Sequence, residues 1–290
     1  MIDLPFGIRL KTLMEKRGPL CVGIDPHPQL MELWGLEHSV NGLEYFARTI
    51  VELLGPVAAA LKPQSALFEV YGSAGISVLE RTLRDCEDIG TISILDVKRG
   101  DIGSTMSAYA QAYLGQEAPM RADAMTLSPY LGYGSLHPAL SLAKKENRGT
   151  FVLGFTSNLE GPQVQHARDE NGQAVGTSIV NQAGNDNSYA LKNGHWGHVG
   201  IVIGATIGDA LRNTDTDLSK LNGPILAPGF GAQGAGSSEM RDVFGSALSQ
   251  VLVSSSRGIL QVGPGNNDIV SEFHRNLDAV DRVLSSNNHL

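Results

Sequence analysis

"ILDVKRGDIGST", residues 94–105, is an apolar run that ends in an acid, a base and a second acid, followed by a glycine, a serine and a threonine. A chain that buries Ile94 and Leu95 and then crowds Asp96, Lys98 and Asp101 where the strand stops is placing charge at the rim of a core. The same pattern recurs along the sequence. "LCVGIDP" from Leu20, "VAAALKPQ" from Val57, "TISILDVK" from Thr91 and "DAMTLSPY" from Asp123 each close on polar or glycine-rich residues. So do "TFVLGFTSN" from Thr150, "HVGIVIGAT" from His198, "PILAPGFGAQG" from Pro224 and "VLVSSSRG" from Val251. Continuous apolar character, in place of strict alternation, is expected of parallel strands buried on both faces.

Helix-period segments separate these runs, for example "GLEYFARTIVELL" before Val57, "AGISVLERTLRDCEDIG" before Thr91 and "SSEMRDVFGSAL" before Val251. Eight strand-then-helix units in 290 residues predict a (β/α)8 TIM barrel, an α/β fold, and not an open doubly wound sheet. No Pro- or Ser-rich linker interrupts the chain, so residues 1–290 read as one domain. The longest interval, between the fifth and sixth strands, is polar and glycine-rich at its start. It reads equally as a mobile loop over the site and as a decorated surface helix.

Composition narrows the function. With 42% hydrophobic residues a sizeable core is expected, and a formal net charge of -8 supplies no basic field for nucleic acid or an anionic membrane. Any phosphate must be gripped locally. The two cysteines, Cys21 and Cys86, form no CxxC pair, which fits a reducing cytoplasm. "MIDLPFGIRLKTLMEKRG" reads as an amphipathic helix and not as a signal peptide. No apolar stretch reaches the roughly 18 to 20 residues that span a bilayer.

In a barrel of this kind the functional face is the carboxyl end of the strands. Asp25 ends the first run, Lys62 the second, and Asp96 and Lys98 the third; Ser157 follows the fifth, Gln233 the seventh and Arg257 the eighth. Strand alternation points Asp96 and Lys98 into the barrel mouth and Val97 out toward the helices. Asp101 lies beyond, in a loop. On its own, an Asp-x-Lys-x-x-Asp string is a surface salt-bridge cluster; behind a buried strand it reads as chemistry. A lysine flanked by two carboxylates keeps its proton, held ready for delivery. Asp96 would repel an incoming substrate carboxylate, and the strain is relieved if that group departs as carbon dioxide. "APGFGAQGAG", Ala227 to Gly236, together with Arg257 in the next loop, matches the usual phosphate position after strands seven and eight.

These residues resemble a known family. "DVKRGDIGST" is similar to the Asp-x-Lys-x-x-Asp-Ile signature of the orotidine 5′-phosphate decarboxylases. "GIDPHP", "LKPQSALFEVYG", "TLSPYLGYGS", "GFTSN" and "PGFGAQG" resemble its second, longer bacterial subtype, at matching intervals from about Phe6 to about Val283. The resemblance implies a carbon–carbon lyase that converts orotidine 5′-monophosphate to uridine 5′-monophosphate, the last step of pyrimidine synthesis, with no metal and no cofactor. It implies that Lys98 protonates C6 of the ring and that Asp96 presses on the departing carboxylate. Lys62 and Asp25 would bind ribose hydroxyls and hold the charge network. Ser157 would address the pyrimidine edge, and Gln233 with Arg257 would clamp the phosphate. Asp101 and Thr105 would cross to the neighbouring subunit's ribose, which implies a homodimer. One departure is visible: after "TSN" the family commonly has proline, where this chain has Leu159.

Two other enzyme or binding classes share part of this pattern. Hexulose-phosphate synthase and ketogulonate-phosphate decarboxylase resemble this family but use magnesium, with a glutamate near the second strand as ligand. Here that place is held by Lys62, whose ammonium repels a metal. A non-catalytic nucleotide-binding barrel would keep Gln233 and Arg257 but needs no lysine among acids. "HWGH", His195 to His198, looks metal-like, yet no acid or cysteine completes a ligand set, so a structural role is expected. His27 is expected in a turn, and Met106, Tyr109 and Tyr113 in the core or at a dimer contact.

Overall fold

The structure, a computed structural model, describes residues 4–229 and 237–285. Every apolar run becomes a strand: β1 (Leu20–Ile24), β2 (Ala60–Pro63), β3 (Ile92–Arg99), β4 (Ala124–Leu127), β5 (Gly149–Phe155), β6 (Val199–Ile203), β7 (Ile225–Pro228) and β8 (Val251–Ser255). They pair in chain order, all parallel, and β8 returns to β1 to close the barrel. The predicted (β/α)8 fold is the one observed. Burial on both faces explains the unbroken apolar runs. Cys21, Ala60, Ile92, Ile94, Phe151 and Leu252 fill the interior. Their strand neighbours Val22, Leu61, Leu95 and Val152 pack outward with residues of the surrounding helices such as Phe46, Ile50 and Leu79.

The amphipathic segment at the start of the chain forms the helix Phe6–Arg17, and it closes the barrel's amino-terminal end. Phe6, Leu10, Leu13 and Met14 join the interior cluster. Phe6 sets its ring edge-on to Phe151, 6.1 Å between centroids. A Cβ on Gly149 would stand 2.3 Å from that ring, so only glycine lets β5 start here. Arg9 pins the helix by donating to Asp123 at 2.5 Å and to the Asn147 carbonyl at 2.9 Å. The helix thus covers the barrel floor, opposite the carboxyl ends of the strands.

Between β5 and β6 the chain forms a short helix, Pro162–Gln165, and a long one, Val175–Lys192. The turn between them is held by Asp169, which accepts from the Asn171 and Gln173 N–H groups, both at 2.9 Å. Of the two readings of this interval, the structure shows the helical one. Among the described residues no helix is long and apolar enough to cross a membrane.

Candidate active site

The end of β3 departs from a regular strand. Leu95 lies opposite Met125 and Arg99 opposite Leu127, so four steps of β3 span two of β4. The surplus is a bulge, and within it Lys98 takes a left-handed backbone, φ 44°. Bulges re-aim side chains. Val97 points outward into the helix layer, as alternation predicts. Lys98 does not simply continue the alternation: its bulged backbone turns the ammonium back to Asp96, Nζ to Oδ1 2.7 Å.

Asp96 also accepts from Lys62 of β2, Nζ to Oδ2 2.8 Å, and both of these residues are 7% exposed. The site is therefore a carboxylate between two ammonium groups. Burial works against the charge on Asp96. The attraction of Lys62 and Lys98, and the hydrogen bonds they donate, outweigh it and hold the carboxyl well below the usual carboxylate range. Lys62 shows the converse: burial favours the neutral amine, but Asp96 and Asp25 raise its pKa above that of an ordinary lysine.

The expected ammonium between Asp96 and Asp101 is not seen within one chain. Among the described residues no ion pair joins Lys98 to Asp101. The Asp101 Oδ1 instead accepts the N–H of Ile102 at 2.8 Å, in a loop that leaves the barrel. Thr105 follows on the helix Gly103–Leu114 and is exposed. Asp25, half-buried just past β1, carries a buried Oδ1 with no hydrogen-bond partner. The hydroxyls of Ser255 and Ser256, at the end of neighbouring β8, are likewise buried without a partner. These atoms leave hydrogen-bonding capacity open beside the charged cluster. Arg257 is exposed and begins the short helix Arg257–Leu260 after β8. Ser157 is exposed after β5, and Leu159 beside it is 93% exposed. Gln233 lies outside the described residues.

A cleft of about 390 Å³ opens between the loops after β4 and β5. Pro129, Leu153, Val164 and Ile179 give it apolar walls, and Thr156 and Gln165 give it polar ones. Its size suits a small organic ligand. Among the described residues no three His, Cys, Asp or Glu side chains converge as ligands. His198 is buried at the foot of β6, bonded to the Leu140 carbonyl at 3.1 Å and to the Tyr189 hydroxyl at 3.3 Å, a structural role. His27 is exposed and its carbonyl accepts from Leu30 N–H at the start of the next helix. Met106 and Tyr113 are buried, and Tyr109 and Tyr113 stack with centroids 6.5 Å apart.

One residue of the cluster escapes the sequence reading. Thr126 of β4, 1% exposed, accepts the Lys98 N–H at 2.9 Å and donates to Asp96 Oδ1 at 2.8 Å. The available signal was a lone hydroxyl inside the buried strand "AMTL". Ser255 and Ser256 also escape that reading, and the serine run ahead of Arg257 was the only signal for them.

The model of the orotidine 5′-phosphate decarboxylase / HUMPS family matches residues 18–267. A Salinispora tropica protein named orotidine 5′-phosphate decarboxylase is 50% identical over 280 residues, 97% of this chain and 96% of its own. One of the same name from Streptomyces coelicolor is 50% identical over 260 residues, 90% of this chain and 91% of its own. Among solved structures, one from Streptomyces avermitilis, provisionally assigned as an orotidine 5′-phosphate decarboxylase, superposes with a TM-score of 0.93 at 46% identity, covering 99% of this chain and 98% of that one. The Leishmania donovani OMP decarboxylase does so with a TM-score of 0.76 at 26% identity, covering 98% and 100%.

Proposed function

This chain belongs to the orotidine 5′-phosphate decarboxylase / HUMPS family, and from that premise we propose that it converts orotidine 5′-monophosphate to uridine 5′-monophosphate and carbon dioxide, the final step of UMP biosynthesis, without a metal or a cofactor. The observation that carries the proposal is the Lys62–Asp96–Lys98 array at the carboxyl end of the barrel. It is an anion held ionised by two cations, with one of them, Lys98, open to the mouth.

The substrate's carboxylate docks against Asp96, and the repulsion ends when the C6–carboxyl bond breaks. The electron pair stays on C6, carbon dioxide leaves, and an Nζ proton of Lys98 moves to C6. A positioned acid of this kind contributes about 10²- to 10⁴-fold. Arg257 and Gln233 grip the phosphate, far from the reacting bond, and Ser157 reads the pyrimidine edge. Asp25 and Lys62 hold the ribose hydroxyls, and the unpartnered Oδ1 of Asp25 is free to accept one. Remote binding energy spent on the phosphate aligns the reacting group. The pairing of Lys62 with Asp96 supports this reading over magnesium-dependent sugar-phosphate chemistry. A ligating carboxylate would be needed where an ammonium stands.

The enzyme works in the cytoplasm as a homodimer in which Asp101 and Thr105 reach the partner's ribose. What supports the dimer is that, among the described residues, Asp101 makes no ion pair with Lys98 of its own chain, and that Val70, Ile102, Tyr130 and Leu131 on the loops after β2, β3 and β4 are exposed apolar side chains. The test is an ultraviolet assay of orotidine 5′-monophosphate decarboxylation with and without a chelator. Turnover that survives chelation is expected; strict dependence on magnesium would replace this reading with the sugar-phosphate one.

A further inference from the structure

We infer that Thr126 is a positioning residue for the proton-delivering lysine: its one hydroxyl fixes both the backbone of Lys98 and the carboxylate that Lys98 faces. The inference rests on the decarboxylase reading and adds to it a residue outside the charged array.

Its basis is hydrogen-bond accounting. The bulge takes the Lys98 N–H out of the regular β3–β4 ladder, which resumes only at Arg99 opposite Leu127. A buried N–H without a partner is costly. The Thr126 oxygen accepts it at 2.9 Å. A hydroxyl has one proton to give, and here it goes to Asp96 Oδ1 at 2.8 Å. The Lys98 ammonium reaches the same oxygen at 2.7 Å. The result is a closed ring running from the Lys98 amide through the Thr126 hydroxyl to Asp96 and back to the Lys98 ammonium.

The ring explains how Lys98, a residue with a Cβ, is kept in a left-handed conformation that such residues rarely adopt. It also explains why the ammonium, 45% exposed along its side chain, has a fixed direction without a second acid from its own chain. Asp96 Oδ1 is held by two donors, Oδ2 by Lys62, and the remaining ammonium protons of Lys98 are left for the ligand. Threonine suits the place because its branched Cβ restricts χ1. Valine preserves that shape and removes both bonds.

The test compares wild type, Thr126→Val and Thr126→Ser in steady-state decarboxylation, in calorimetric binding of uridine 5′-monophosphate, and in deuterium exchange of the Lys98 amide. Thr126→Val should lower kcat about 100-fold, the scale of a small misplacement of a catalytic group. KM and nucleotide affinity should stay within roughly threefold, the pattern of a group that acts on the transition state. Thr126→Ser should restore kcat to within about fivefold and keep the Lys98 amide protected, while Thr126→Val should expose it. The inference is overturned if Thr126→Val keeps its kcat, if serine fails as badly as valine, or if the loss falls on KM and affinity. If Thr126→Val does not fold, Thr126→Ala against Thr126→Ser makes the same comparison. A wild type inactive on orotidine 5′-monophosphate strikes the proposed function, whereas amide exchange unchanged in Thr126→Val strikes this inference alone.

Discussion

The ammonium of Lys62 lies 2.8 Å from Asp96 Oδ2 with both residues almost fully buried, so the pair joins β2 to β3 at the point where the barrel interior meets its mouth. Removing one member of a buried pair leaves the other undercompensated. Lys62→Met should destabilise the fold by about 3 kcal/mol in denaturant melts, less than a full orphaned charge because Lys98 still holds Asp96. Asp96 has its folded pKa depressed, so its contribution is complete above the unfolded value, near pH 4, and is lost as pH falls through the folded one. Lys62→Met should therefore also flatten the acid limb of the stability curve.

Arg257, exposed at the first residue of its helix after β8, is assigned to the phosphate. Arg257→Ala should raise KM and weaken uridine 5′-monophosphate binding by about tenfold or more, with the smaller change in kcat. Calorimetry with uridine, which lacks the phosphate, should show no difference between variant and wild type.

The assignment of Asp101 to the partner's site predicts complementation. Lys98→Ala and Asp101→Ala should each be nearly inactive alone. After mixing and subunit exchange, about a quarter of the sites regain both groups, because only the mixed dimers hold an intact site and each holds one. Activity of the mixture that stays at the level of the separate variants would place Asp101 in its own subunit's site.

His198 is buried between β6 and the helices around Leu140 and Tyr189, and burial pushes its imidazole down to about 4, against the pull of Asp186. The unfolded chain therefore binds a proton that the folded one refuses. Stability is unaffected above about pH 6.5 and falls as pH drops toward 4, by roughly 3 kcal/mol in all. His198→Gln should melt with a shallower pH dependence between those limits. An unchanged slope would assign the acid sensitivity to other groups.

Much of this was legible in the sequence, for physical reasons that also mark where legibility ends. All eight strands could be read because a strand buried on both faces is largely apolar, as "LCVGI" and "FVLGF" are. The rim charges stood out because a core rejects them unless they are paired. Alternation failed to describe Lys98, since the bulge that turns it depends on β4, a strand 28 residues away. Thr126 was hidden for the same reason: a threonine in a strand looks like β-propensity until its partners are known. The helix Val175–Lys192 was hard to read because it buries polar residues, Thr177 on the Thr214 carbonyl and Asn187 on those of Val199 and Leu221. Those polar residues interrupt the buried face that Ile179, Val180, Ala183 and Ala190 supply.

The proposed role of Lys98 is to deliver a proton to the carbon that loses carbon dioxide. It is tested most directly by measuring carbon dioxide release and uridine 5′-monophosphate affinity together for Lys98→Ala. Release should fall by at least about 10³-fold, within the span of a lost general acid, while the nucleotide still binds. Release within tenfold of the wild type, with the nucleotide bound as before, would contradict it.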